Sequence, residues 1–164
     1  DFGNIYYANC IEANKRDRML PYIKGQCACT AAHIPDALTL EQARRLFGIY
    51  PNMKVDYAYT RFMTLAYAPC MEDTIHDIVL DDCLDNPGNQ NVKYKKSVCT
   101  CVADRAKEDV GKYGTSFLKG MTTTGYDFNQ AVDNPLADVL AHKGFQSTVD
   151  YSTSVCMQRK EFGW

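Results

Sequence analysis

Eight cysteines among 164 residues are the side chains of this chain best suited to chemistry. A thiolate is a nucleophile and a soft metal ligand, and two thiols in an oxidising compartment become a crosslink. Spacing decides among these. Cys27 and Cys29 flank a single residue, as do Cys99 and Cys101; each pair follows a lone cysteine, Cys10 or Cys83, and precedes a Cys-Met dipeptide, Cys70-Met71 or Cys156-Met157. Zinc sites usually set two to four residues between paired thiolates, so that both reach one ion. With one intervening residue on a helix, the two sulfurs point about 200° apart. Such a pair shares neither an ion nor a mutual bond, and instead clamps one helix to two neighbours. An even, internally repeated set of cysteines belongs to oxidising surroundings, so all eight are expected in disulfides. A hairpin turning near Leu20 sets Cys10 against Cys29 and leaves Cys27 for Cys70; by repetition Cys83 pairs with Cys101 and Cys99 with Cys156.

The other chemical signals are sparse. Met71 and Met157, beside Cys70 and Cys156, suggest copper ligands, but oxidised cysteines offer no thiolate and leave ordinary core methionines. His33, His76 and His142 lie on expected helices without a partner recognisable from spacing. The chain has no nucleophile elbow, no His-Glu-x-x-His, no Gly-rich phosphate loop and no haem-attachment motif. No catalytic residue, metal ligand or cofactor is assigned, and a hydrolase ranks last among the functions considered. A formal net charge of −2 gives no general attraction to nucleic acid. The strongest functional signal is electrostatic. Asp73, Asp77, Asp81 and Asp85 recur at four-residue steps, so a helix stacks them on one face, with Glu72 and Asp82 beside it. Lys93, Lys95 and Lys96 neutralise such a face if it is only solvated; if it is functional, it docks a basic protein surface. Calcium through Asp81, Asp85, Asn86 and Asn89 lacks the EF-hand spacing.

Helices are the elements that must position these groups. Tyr59, Phe62, Met63, Ala66, Tyr67 and Cys70 recur at three- and four-residue steps, with a kink or restart at Pro69. Ile75, Ile78 and Val79 continue that face up to the turn at Asn86-Pro87-Gly88-Asn89. Thr39-Leu-Glu-Gln42 is a capping box opening a short helix through Phe47, stopped by Gly48 and Pro51. The first Cys-x-Cys segment reads as a helix broken at Pro35, the second as one from Lys93 to Lys112 ended by Gly111 or Gly114. A last helix spans Leu136 to about Glu161, with Gly144 its weak point. Eleven tyrosines fit half-wet sites; Tyr6, Tyr7, Tyr57, Tyr59 and Tyr67 are expected to line the core.

The whole is expected to be all-α: two tandem, sequence-related helical modules, residues 1–72 and 73–164, each stapled by two disulfides and packed as one compact, bundle-like domain. Hydrophobic content of 46% with 23% charged residues is far from the disordered regime. No segment approaches the roughly 18 uninterrupted apolar residues of a membrane span, so no transmembrane segment is expected. The opening Asp-Phe-Gly-Asn fits a mature, secreted or periplasmic protein whose export signal has been removed. Lipid-transfer proteins share the Cys-x-Cys feature but also need an adjacent Cys-Cys pair, which this chain does not have. As a small exported helical protein stapled by disulfides, the chain is similar in physical style to periplasmic immunity proteins that neutralise secreted toxins, without a diagnostic motif. The expected function is therefore non-enzymatic, through a protein partner, as an inhibitor or immunity-type binder. The alternatives are a carrier of a small apolar ligand or lipid and a structural subunit of an envelope or extracellular assembly.

Overall fold

Asp1 opens the first helix by accepting the N–H of Gly3 at 2.9 Å, one of the donors that a helix start leaves without an internal partner. That helix, α1 (Phe2–Ala13), is followed by α2 (Leu20–Ala37) and α3 (Leu40–Phe47). The computed structural model describes residues 1–51, 56–123 and 135–162, and among these it is helical with no strand. At α3 the Thr39/Gln42 capping box forms in both directions, and Gly48 ends the helix as expected. Asp56 caps α4 (Tyr57–Arg61) through the N–H groups of Ala58 and Tyr59. The same chain axis passes through a π-helical turn at Phe62–Tyr67 and a 3₁₀ turn at Ala68–Cys70 before α5 (Met71–Asp85). The interruption falls at Pro69, whose ring removes an N–H and crowds the preceding turn. After a 3₁₀ turn at Pro87–Asn89 come α6 (Lys95–Thr123), α7 (Pro135–Ala141) and α8 (Lys143–Phe162). The last two replace the single expected helix. They part at His142, where Gly144 N–H is donated to His142 Nδ1 at 3.2 Å.

α1 packs along α2, α5 along α6, and α8 on the other side of α6, while the π turn bridges α2 and α6. One continuous core results, running from Ile23 and Cys27 through Met71 and Ile75 to Val102, Leu118, Leu136 and Cys156. Two helices outrun their expected stops. Gly111 and Gly114 lie inside α6 and let α5 come close: a Cβ on Gly114 would sit 3.2 Å from Met71 Cε, and one on Gly111 3.1 Å from Glu72 Oε1. α2 continues through Pro35, and the proline has no N–H to offer the carbonyl of Ala31 one turn earlier. That carbonyl faces Gly3 of α1, where an added Cβ would lie 2.6 Å from it.

Gly3→Ala is therefore expected to destabilise the protein by up to about 2 kcal/mol, because overpacking against backbone, costing as much as about 3 kcal/mol, outweighs the roughly 1 kcal/mol gain in helix preference. Gly25→Ala, also in α2 but with nothing within 4 Å of its new Cβ, should stabilise by about 0.5–1 kcal/mol. Urea unfolding of the two variants checks the opposite signs.

All eight cysteines are bonded, within halves and never within a Cys-x-Cys pair, but the pairing differs from the expected one. The bridges are Cys10–Cys27, Cys29–Cys70, Cys83–Cys99 and Cys101–Cys156. Cys10–Cys29, Cys27–Cys70, Cys83–Cys101 and Cys99–Cys156 do not form. The reason is where the hairpins turn. α1 ends at Ala13 and α2 begins at Leu20, so the turn is centred before Leu20 and brings Cys10 opposite the earlier member of its pair. The connection between Asp85 and Lys95 does the same for Cys83 and Cys99. Of the five tyrosines assigned to the core, Tyr59 and Tyr67 are buried and Tyr6 packs edge-on to Phe47 and Phe62. Tyr7 and Tyr57 are exposed; Tyr57 instead lies beneath the guanidinium of Arg61.

Candidate binding face and cleft

Asp73, Asp77, Asp81 and Asp85 all stand exposed on α5, as their spacing requires, because Met71, Ile75, Ile78 and Val79 turn the opposite face into the core. Neighbouring helices partly answer their charge. Lys107 of α6 pairs with Asp73, and His76 lies 2.9 Å from Asp77 and 3.4 Å from Asp104. The Tyr22 hydroxyl of α2 donates to Asp81 at 2.6 Å. That hydrogen bond, then partial burial and the charges of Asp81, Asp82 and Asp85, push the Tyr22 phenol up to about 12. Lys93, Lys95 and Lys96 follow the turn after α5 and make no ion pair with the stripe among the described residues, and Lys93 lies over the Tyr94 ring. The lysine that answers the stripe thus comes from α6 and a neutral hydroxyl from α2, which sequence proximity does not indicate, while His76 belongs to α5 itself. Toward its C-terminal end, at Asp81, Asp82 and Asp85, the stripe makes no ion pair among the described residues. Burial and the nearby charges of Asp81 and Asp85 hold the Asp82 carboxyl above the usual carboxylate range.

Asp82 is also where the stripe meets a cleft of about 590 Å³ between the end of α5, α6 and the α7–α8 corner. Val79, Val102, Phe145 and Val149 form its apolar floor, with Asp82, Asp150, Asn86, Asn89 and Gln146 around it. Asn86 and Asn89 are committed to the turn: Asn86 accepts the Gly88 N–H at 2.8 Å, and Asn89 Nδ2 donates to the Cys83 carbonyl at 3.0 Å. Among the described residues no lysine, arginine or histidine lines this cleft, and its one cysteine is in a bridge. What it offers is acceptors, negative charge and an apolar floor, which suits binding of an amphipathic cation. Phe145 also walls a second cleft of about 330 Å³ with Val110, Phe117 and Val139. The residues that α8 brings to these clefts were not assigned to a site from the sequence. Phe145, Val149 and Thr153 do recur at helical spacing, but nothing in that spacing tells which helix they face.

The histidines, unpartnered by spacing, each have a neighbour in space. His33 lies beside the Cys29–Cys70 bridge, His76 lies between two carboxylates, and His142 stacks edge-on against Phe117 at 4.9 Å. Compared with known protein families, with curated proteins and with solved structures, the chain matches none. The four disulfides fit a secreted or extracellular protein. No described helix is long and apolar enough to cross a membrane.

Proposed function

We propose that the chain is an exported, non-catalytic binding protein that takes a basic segment of a partner protein at the α5 face and its cleft, as an inhibitor or immunity-type binder in the bacterial periplasm. The observation that carries this is the cleft at Asp82. A lysine or arginine side chain has an apolar stem and a charged head, and the cleft sets an apolar floor beside Asp82 and Asp150 with no cation among the described residues of its lining. Like charges at Asp81, Asp82 and Asp85 disfavour one another, so an incoming cation relieves a cost that the free protein carries.

The test uses a partner retrieved by pull-down and then purified. Replacing Asp73, Asp77, Asp81 and Asp85 together with Asn should leave helicity intact, since the ion pair with Lys107 and the hydrogen bond from Tyr22 lie at the surface, where such interactions are worth little. Association with the partner should be fastest at low salt for the wild type, and the quadruple variant should lose most of that acceleration. Asp82→Lys, at the mouth of the cleft, should weaken binding at least about tenfold. Equal rates, equal salt slopes and an unchanged affinity in Asp82→Lys would reduce the face to a solubility device.

The second cleft favours another reading, a carrier of a small apolar ligand held against Phe117, Val110 and Phe145. Native mass spectrometry of the purified protein separates the two, since a carrier leaves the column with a lipid-sized adduct. We also propose that residues 1–72 and 73–164 are two related modules of one bundle-like unit. In support, each half joins its first cysteine to the nearer member of a Cys-x-Cys pair and the farther member to its last cysteine. The helix pair α1–α2 thereby corresponds to α5–α6.

A further inference from the structure

Each of the four bridges joins a half-exposed cysteine to a buried one, so exposure does not set any of them apart. Histidine does. His33 follows Cys29 by one helical turn on α2, which places both on one face. Cys70 reaches the same point from the 3₁₀ turn before α5. The two sulfurs and a His33 ring nitrogen lie within 4.8 Å of one another, the one such grouping of three among the described residues. As a disulfide the sulfurs are weak ligands. As thiolates, with one imidazole, they are the Cys₂His donor set that zinc accepts, leaving a fourth position for water.

We propose that two-electron reduction of Cys29–Cys70 converts this crosslink into a zinc site formed by Cys29 Sγ, Cys70 Sγ and a His33 ring nitrogen. The balance is simple. A reductant such as a dithiol gives two electrons to the S–S bond and is itself oxidised to a disulfide; each sulfur emerges as a thiol, and zinc displaces both protons. The helices stay docked when the bridge opens, because Gln26 of α2 grips the chain on both sides of Cys70. Its amide donates to the Tyr67 carbonyl at 3.0 Å, and its carbonyl accepts from Thr74 Oγ1 at 3.1 Å. Cys10–Cys27 meanwhile ties α2 to α1. Bridging zinc needs the sulfurs only to part to roughly 4 Å, as tetrahedral geometry with Zn–S bonds of about 2.3 Å requires. The Cα atoms, 5.7 Å apart, leave room for that.

The second half supplies an internal control. Cys101–Cys156 is the counterpart bridge, but the residue one turn after Cys101 is Arg105, which has no acceptor lone pair for a metal and donates to Ser152 Oγ at 3.2 Å.

The experiment is a Co²⁺ titration of phosphine-reduced protein, followed by displacement with Zn²⁺ and read by thiolate-to-cobalt charge transfer and the tetrahedral ligand-field bands. One Co²⁺ per chain is expected in the reduced protein and none in the oxidised. His33→Ala should weaken binding by more than about 100-fold, beyond what loss of an outer-shell partner costs. The Cys29→Ser/Cys70→Ser pair should abolish it, and the Cys101→Ser/Cys156→Ser pair should leave it intact. To keep the outcome independent of full reduction, partial phosphine reduction is followed by alkylation, and mass mapping selects the molecules in which only Cys29 and Cys70 are released. Zn²⁺ should then slow alkylation of Cys29 and Cys70, and a chelator should restore it. No tetrahedral spectrum, a spectrum indifferent to His33→Ala, or alkylation unaffected by zinc overturns the proposal.

Discussion

Reduction of all four disulfides is expected to lower the melting temperature by tens of degrees. The bridges span sequence separations of 17, 41, 16 and 55 residues, and a crosslink closing a loop of that order contributes about 2–4 kcal/mol by constraining the unfolded chain. None of the four loops overlaps another, so each restricts a different stretch of the unfolded chain. Their sum is on the order of the whole stability of a typical domain, about 5–15 kcal/mol. At this chain length roughly 2–4 °C accompanies each kcal/mol. Calorimetry with and without a phosphine, alongside a count of released thiols, checks the expectation. An unchanged melting point after release of all eight thiols would mean that the core from Ile23 to Cys156 holds the fold unaided.

The second large effect is expected at Gln26, which is buried at 1% exposure beside the buried hydroxyls of Thr30 and Thr74. Its role follows from the irregular stretch before α5. The N–H of Met71 is donated to the carbonyl of Ala68, the shorter 3₁₀ pattern, which diverts it from Tyr67, its partner in a regular helix. The Gln26 amide adds a side-chain donor at the Tyr67 carbonyl, 3.0 Å away, and also donates toward Thr30 at 3.4 Å. Gln26→Leu preserves volume but removes the side-chain donor to the Tyr67 carbonyl and the acceptor of the Thr74 hydroxyl, at a cost of about 1–3 kcal/mol. Gln26→Ala adds a cavity, for a loss of roughly 2–5 kcal/mol. Guanidinium unfolding of both variants separates the hydrogen bonds from the packing. A Leu variant as stable as the wild type would show that the Gln26 hydrogen bonds contribute nothing net to stability.

What was legible in the sequence is what depends on near neighbours. Thr39 and Gln42 form their capping box, Pro69 interrupts its helix, and the aspartates of α5 share an exposed face, because each outcome is settled within one or two turns of chain. The bonding of every cysteine was legible from compartment and parity, and the exclusion of bridges within the Cys-x-Cys pairs from helix geometry. Which cysteine meets which was not, since it turns on a displacement of a few residues in where a hairpin bends. Gly111, Gly114 and Pro35 looked like helix ends because local preference says so; packing against α5 and α1 overrides it. The cleft at Asp82 was hidden for another reason. Val79, Val102 and Phe145 come from three helices, and no periodicity within one helix records the identity of its neighbour. The same holds for His33, whose nearness to Cys70 depends on how α2 docks on the turn before α5.

The order of the bridges has a consequence for how the protein is made. Read from the N-terminus, every cysteine is joined to the next one along: first to second, third to fourth, fifth to sixth, seventh to eighth. Eight cysteines allow 105 pairings, and this is the one reached by a machine that sees the chain arrive end first and couples each new thiol to the last one still free. Pairing each thiol with the last one still free would thus build the native framework in order, and closing the bridges of residues 1–72 needs no cysteine beyond Cys70.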